Sequence, residues 1–500
     1  VNDGRLSRRA FLTGSVAGGV GLALAACGRS TVPAPNLEQA VAAAEKARPH
    51  TGRSVAAVVT AQPAAIDLGG PIARTLAYGD GLPGPLIRAN VGDELAITVK
   101  NRLSGPTSVH WHGIAIRNDM DGVFPATANI AAGGDFTYRF SSPYPGTYWA
   151  HPHGDLETDY GLYLPLIIDD PAEPGRYDAE WIVVFDDWTD GIGRSPQQIY
   201  DELKGTHMPA HGSGSAEMPA MTGVGSSALL GGDAGDVDYP YYLVNGRIPA
   251  VPTTFDAKPG QRIRIRLINV GADTAFRVAL AGHVMTVTHT DGYPVVPTDV
   301  DALLLGMAER YDVIVTAGDG VFPLVAVPEG KKAQPGRALL ITAAGAAPDA
   351  SFEPAELNGR VGTVDMFSAT PAASLGSSQS DVNLALELTG SMMNYDWAIN
   401  GKPYPDSPPV TVKQGQRATL AFTNSTTMYH PMHLHGHTFQ VIKPDGSLGA
   451  RKDTINVVPN QKLNALLIAD NPGAWMIHCH NTYHQEAGMM TSLNYTAYTT

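Results

Sequence analysis

The chain predicts an all-β protein built of three consecutive, similar Greek-key sandwich or barrel units, and three observations carry that prediction. One segment recurs: "VGDELAITVKN" (Val91 to Asn101), "PGQRIRIRLIN" (Pro259 to Asn269) and "QGQRATLAFTN" (Gln414 to Asn424) share a glycine, an alternating stretch, and an asparagine nine residues after that glycine. Alternation with period two marks a half-buried strand leaving a turn. A second segment recurs further on, as "PGTYWAHPH" (Pro145 to His153), "DGVFPLVAV" (Asp319 to Val327) and "PGAWMIHCH" (Pro472 to His480). Finally, 500 residues with 43% apolar content and 54 glycines are too many for one core and suit several domains of ordinary size.

The opening residues read as an address rather than as structure. Residues 1–27 hold a twin-arginine pair, Arg8 and Arg9, a short apolar segment and "LAAC", Leu24 to Cys27, in the order of a bacterial lipoprotein export signal. Cleavage before Cys27 and a lipid on its thiol are expected. That places the protein in the cell envelope, lipid-anchored to the outer face of the cytoplasmic membrane or in a periplasm-like space. An N-terminal tether, 28–49, leads to unit one at 50–170. Unit two spans 178–345 and carries a Gly/Ser/Met-rich insertion, 204–236, too poor in core formers to pack and expected as a mobile surface loop. An Ala/Pro/Ser-rich linker, 346–380, precedes unit three at 381–500.

Charge and hydropathy exclude two classes of partner. A formal charge of -14 without a clustered basic surface argues against nucleic acid. No apolar run reaches the roughly 18 to 20 residues of a membrane-spanning helix. Membrane contact is expected through the Cys27 lipid alone, and the chain is expected to act as a monomer.

The repeat sorts the histidines. Nine and eleven residues after the shared asparagine stand His110 and His112 in unit one, His433 and His435 in unit three, but Val278 and Leu280 in unit two. Five and seven residues after the second shared glycine stand His151 and His153, His478 and His480, but Val325 and Val327 in unit two. On a strand, residues i and i+2 point to one face, so each His-x-His aims two imidazoles the same way. Four such pairs converging between units one and three would make a metal site.

Cys479 sits between His478 and His480 and therefore faces the opposite way. With Cys27 carrying lipid it has no disulfide partner, so its thiol needs another reason to exist. His430, His484 and Met489 complete two imidazoles, one thiolate and a thioether, the ligand set of blue copper.

These residues resemble a known family. "HWHG" (His110 to Gly113), "HPHG" (His151 to Gly154), "HPMHLHGH" (His430 to His437) and "HCHNTYHQEAGM" (His478 to Met489) look like the four copper motifs of the three-domain multicopper oxidases. The chain is most similar to exported actinobacterial lipoprotein members associated with copper tolerance. The resemblance covers the mature chain and implies three cupredoxin-like domains with four copper ions. It implies a type 1 copper held by His430, Cys479, His484 and Met489 and a type 2 copper held by His110 and His433. It further implies a type 3 pair held by His112, His151, His153, His435, His478 and His480.

The implied reaction oxidises a substrate one electron at a time and reduces dioxygen to water, with Cu(I), Fe(II) and phenols as candidate reductants and copper detoxification as the purpose. The alternative is a non-enzymatic copper-sequestering lipoprotein of the envelope. Asp121, eleven residues after His110, stands where similar proteins carry an acid that delivers protons, while Gln485 replaces a second such acid, with Glu486 beside it. Met428 precedes His430 by two residues and so shares its face, and its soft thioether suits Cu(I), although Thr426 stands where some relatives carry a carboxylate. The insertion adds His207, Met208, His211, Met218 and Met221 as possible copper collectors. His50, His283, His289 and His437 are read as structural or surface residues.

Overall fold

A computed structural model describes residues 36–173, 175–205 and 224–498. Arg8, Arg9, Cys27, His207, Met208, His211, Met218 and Met221 lie outside the described residues. Among the described residues, no helix is long and apolar enough to cross a membrane.

Each of the three units is a pair of β-sheets. In each, the strand that ends in the shared asparagine (Glu94–Asn101, Arg262–Asn269, Arg417–Asn424) runs parallel to the unit's first long strand (Ser54–Asp67, Ala179–Trp188, Val382–Thr389). Parallel neighbours cannot be joined by a hairpin, so the chain crosses to the opposite sheet between them, which makes the unit a two-layer sandwich. The turn glycines of the repeat, Gly92, Gly260 and Gly415, have φ of 79°, 81° and 85°. A side chain there would be strained, which accounts for the recurrence of glycine at that position.

The recurring asparagine does the same work three times. The Nδ2 atoms of Asn101, Asn269 and Asn424 each donate to two backbone carbonyls, and each Oδ1 accepts from the amide two residues on at 2.9 Å. All three are buried, so the side chain satisfies backbone groups that water cannot reach and pins the chain as it leaves the strand. In unit one the next strand after that pin is His110–His112, and in unit three it is His430–Leu434, with His433 on it and His435 directly after it.

Three expectations about the chain's course need correction. The tether 28–49 is not loose throughout: Leu37–Ala47 is a helix whose capping box pairs Asn36 with Gln39, with Ala40 and Val41 buried. Arg48, just after it, bonds Ser141 O and Asn471 Oδ1. The insertion 204–236 is a packed segment in its described part 224–236, where Leu230 and Ala234 are fully buried. Local composition missed this because the segment borrows its core from units two and three: Leu230 packs with Met307 and Tyr429. The linker 346–380 is also packed, for Val361–Gly362 adds a strand beside Ala302–Leu305, and Phe367 is fully buried.

The units also differ in register. In unit one His110 pairs with His151, and in unit three His433 pairs with His478, so the two pairs of each unit share one face. The matching register in unit two would set Val278 against Val325, but Val278 pairs with Ala326. One residue of slip reverses a strand's faces relative to its neighbour. Val278 and Leu280 therefore enter the main core, while Val325 packs on the opposite side with Ala279 and Leu357.

Candidate metal centre

The strand His110–His112 shows how the site is oriented. Trp111, between the two histidines, is fully buried in the core of its sandwich against Tyr138 and Phe140, which turns His110 and His112 outward. In the same way Met432 and Cys479 point into the core of unit three and their histidine neighbours point out. The outward faces of units one and three meet, and their imidazoles interleave: His110 stacks on His435 at 3.6 Å between ring centroids and His112 on His433 at 3.7 Å. His153 stands 4.8 Å from both His435 and His478.

The outer partner of each ring fixes which nitrogen carries the proton. His110 Nδ1 lies 3.0 Å from the Asp121 carbonyl and His433 Nδ1 lies 2.9 Å from the Asp453 carbonyl. Carbonyls only accept, so both Nδ1 atoms are protonated and both Nε2 atoms carry lone pairs. Those two lone pairs face each other across the seam at 3.4 Å. By the same reasoning His435 donates to Asp121 Oδ2 at 2.9 Å and His478 to the Cys479 carbonyl at 3.0 Å, leaving their Nε2 atoms opposed at 3.0 Å. His151 donates to the Pro152 carbonyl at 2.7 Å and directs its Nε2 at that of His480, 3.4 Å away. The buried Nδ1 atoms of His112 and His480 and Nε2 of His153 have no hydrogen-bond partner.

Opposed lone pairs and orphaned ring nitrogens are unfavourable in a dry interior unless a cation lies among them. Burial, and then the neighbouring rings, hold His112, His151, His435, His478 and His480 well below the ordinary histidine pKa, and His153 at about 3. These rings are neutral at physiological pH, which is the form that binds metal. The donor set thus fits copper.

The second group lies on the other side of the Cys479 strand. His430 Nδ1 and His484 Nδ1 are 3.1 Å apart, and Cys479 Sγ is 3.6 Å from the first and 3.7 Å from the second. Thr426 Oγ1 meets His430 Nε2 at 2.8 Å and Asp236 Oδ2 meets His484 Nε2 at 3.0 Å, so both Nδ1 lone pairs face the sulfur. Burial pushes the Cys479 thiol up, and a metal binding there displaces its proton. The one-turn helix Thr482–Ala487, capped by Asn481, sets His484 and folds the chain back so that Cys479 N donates to the Met489 carbonyl at 3.0 Å. Met489 is fully buried.

Asp121 joins the two outer units at the seam. Besides its bond to His435, its Oδ1 stands 3.2 Å from His110 Nδ1, whose proton goes to the Asp121 carbonyl instead. Met428 is fully buried, with its backbone bridged to Asp233 of the segment 224–236. His437 bonds the His435 carbonyl and Tyr495 Oη, as a structural residue would.

Three functional positions escape a reading of the sequence. Asp236 falls inside the expected loose loop. Asp453 bonds His112 Nε2 at 3.1 Å through its carboxylate and His433 through its carbonyl, and in the sequence it is one more polar residue in the run Arg451 to Thr454. Burial raises the Asp453 carboxyl and the Arg310 guanidinium more than reverses this, holding it well below the usual carboxylate range. Arg310 itself belongs to the unit that lacks the histidines.

Comparison with known proteins agrees with this site. Family models described as multicopper oxidase match residues 60–173, 179–345 and 378–497. The chain is 64% identical to multicopper oxidase MmcO of Mycobacterium tuberculosis over 98% of this chain and 97% of that one. It is 29% identical to copper resistance protein A of Escherichia coli, covering 85% of this chain and 90% of the other. Among solved structures, the multicopper oxidase Fet3p superposes with a TM-score of 0.74 at 20% identity, covering 89% and 91% of the two chains. The laccase from Botrytis aclada superposes with a TM-score of 0.71 at 24% identity, covering 94% and 91%. With three cupredoxin-like units and a copper-binding donor set between them, the chain belongs to the multicopper oxidase family and is an oxidoreductase.

Proposed function

We propose that the protein couples one-electron oxidation of Cu(I), and also of Fe(II) and phenols, to the four-electron reduction of dioxygen, in the service of copper detoxification. His430, Cys479, His484 and Met489 hold a type 1 copper, His110 and His433 a type 2 copper, and His112, His151, His153, His435, His478 and His480 a type 3 pair. When bound, these four coppers accept electrons from substrate and pass them to dioxygen, giving water. The observation that carries the reading is the opposed pair of lone pairs at His110 and His433, one from each outer unit, with the Cys479 thiol on the strand beside that of His433 and facing the opposite way, toward His430.

The residues divide the work. Cys479 is joined by single peptide links to His478 and His480, so an electron entering at the sulfur has a short covalent route to the seam. Asp121, touching one histidine of each outer unit, is placed to pass protons to the site where oxygen would be reduced. The outer edge of His484 is covered by Asp236, Tyr395 and Trp397, which favours a small ion over a bulky phenol as reductant. Met428 offers a soft sulfur to Cu(I) beneath the segment carrying Asp233 and Asp236. The copper-resistance relatives support the detoxification role, and the sequence of residues 1–27 supports an exported form, a monomer held to the membrane by its lipid.

Steady-state kinetics on one copper-loaded sample with Cu(I), Fe(II) and a series of phenols test this. Oxygen uptake with both ions and declining rates as the phenol grows are expected. A bulky phenol outrunning both ions would contradict the assignment of substrate. In the same assay Met428→Leu is expected to raise KM for Cu(I) and spare phenols.

A further inference from the structure

Among the described residues the middle unit contributes no histidine to the seam, yet one of its arginines reaches it. Arg310 is fully buried and ties all three units together: its Nε donates to the Thr147 carbonyl of unit one at 3.0 Å, and its two terminal nitrogens grip the Asp453 carboxylate of unit three at 2.7 and 2.6 Å. Asp453 Oδ1 in turn accepts from His112 Nε2 at 3.1 Å and from Thr454 Oγ1 at 2.8 Å, and Thr454 Oγ1 is 3.1 Å from His433 Nδ1. Asp291 of the middle unit accepts from the backbone amides of both Arg310 and Asp453, so the pair is held from behind as well.

The chain makes room for this arrangement. Gly113, directly after His112, has φ of 86°, and a Cβ added there would collide with an Arg310 nitrogen and sit 2.6 Å from Asp453 Oδ2. The guanidinium therefore lies against the backbone of the first histidine strand, where only glycine admits it.

We propose that Arg310 is a positioning residue for the copper seam: by fixing the Asp453 carboxylate in two bonds it sets the ring orientation and tautomer of His112 directly, and by holding Asp453 in place it steadies His433 through the Asp453 carbonyl and Thr454, one ligand from each outer unit. The middle unit thereby serves the site it lost its own ligands for. A bidentate guanidinium fixes the plane of a carboxylate as well as its position, which a single ammonium does not. Metal ligands depend on such outer partners, whose loss weakens metal binding or activity about 10–100-fold.

The inference rests on the ligand assignment above. Its test is the type 2 electron paramagnetic resonance signal, the copper count and the blue absorbance of the copper-loaded full chain carrying Arg310→Met or Arg310→Lys. Arg264→Met, which breaks a buried middle-unit pair with Asp312, serves as control. Both Arg310 variants are expected to keep the blue absorbance but retain type 2 copper about 10–100-fold less tightly, the lysine variant less severely, while Arg264→Met loses thermal stability without losing the signal. Should Arg310→Met fail to fold, the lysine variant, which leaves no buried carboxylate uncompensated, decides. Full type 2 signal in Arg310→Lys, or equal loss in Arg264→Met, would overturn the proposal. A wild-type protein without a type 2 signal would end the ligand assignment and this inference together, whereas a wild-type signal unchanged in the variants ends only the latter.

Discussion

Units one and three differ from unit two less in their fold than in the direction their strands face. All three share the pinned asparagine, the parallel first pair and the two-layer sandwich. In the outer units, register sets both histidine strands outward together; in the middle unit, a one-residue slip sends Val278 inward and Val325 outward. The ligands were not merely exchanged for aliphatics, because the backbone geometry that would let them converge is absent as well. What the middle unit supplies instead are charged groups placed behind the ligands: Asp236 behind His484, and Arg310 behind Asp453.

The most severe way to break the comparison is to remove the sulfur of unit three. Cys479→Ser is expected to lose the blue colour and all turnover while the fold stands; an active colourless variant would sever the link between the two groups. Next comes an attempt to restore unit two. Val278→His with Leu280→His puts two imidazoles into an apolar core with no partner, which costs about 1–3 kcal/mol each and gains no copper. Thermal unfolding and metal analysis check this, and extra bound copper would show that register does not matter.

A smaller effect is expected when only the outer partner is changed. Asp236→Ala should weaken the Cys479 site or its turnover about 10–100-fold, with the type 2 signal intact. Loss of the type 2 signal as well would mean that the middle unit acts on both sites through one support. The mildest test lies on unit one, past the second histidine pair. Burial pushes the Glu157 carboxyl from 4.5 up to about 7, opposed by a bond from Thr107. A carboxyl whose pKa is raised by folding favours the fold when protonated, so its contribution is full below about 4.5 and is lost as pH rises through about 7. The Glu157→Gln variant should show a flatter unfolding midpoint over that window, and identical pH profiles would contradict this placement.

Much of this was legible in the sequence because it depends on local spacing. The repeat is a strand plus its turn, and His-x-His is one face of one strand, so counting from Asn101, Asn269 and Asn424 found the paired positions. Counting could not find the slip at Val278, because register is a relation between strands about fifty residues apart and each strand alone keeps its pattern. Asp236 was hidden for a related reason: its surroundings are rich in glycine and serine, and the histidine that gives it a role lies 248 residues away. Arg310 and Asp453 each read as an ordinary charge at or between strands, and only their meeting inside the seam shows otherwise. The tether and linker looked loose because local composition does not show that residues such as Val41 and Phe367 are buried, the latter against Tyr311 of the middle unit.

The most direct measurement of the central claim is the number of Cu(I) ions oxidised per dioxygen consumed by the fully copper-loaded protein, with hydrogen peroxide assayed alongside. Four one-electron metals wired together through Cys479 and the seam, as proposed, predict four Cu(I) per dioxygen and no peroxide. Two Cu(I) per dioxygen with peroxide released, or no catalytic uptake at all, would mean that the histidines of the two outer units do not act as one site.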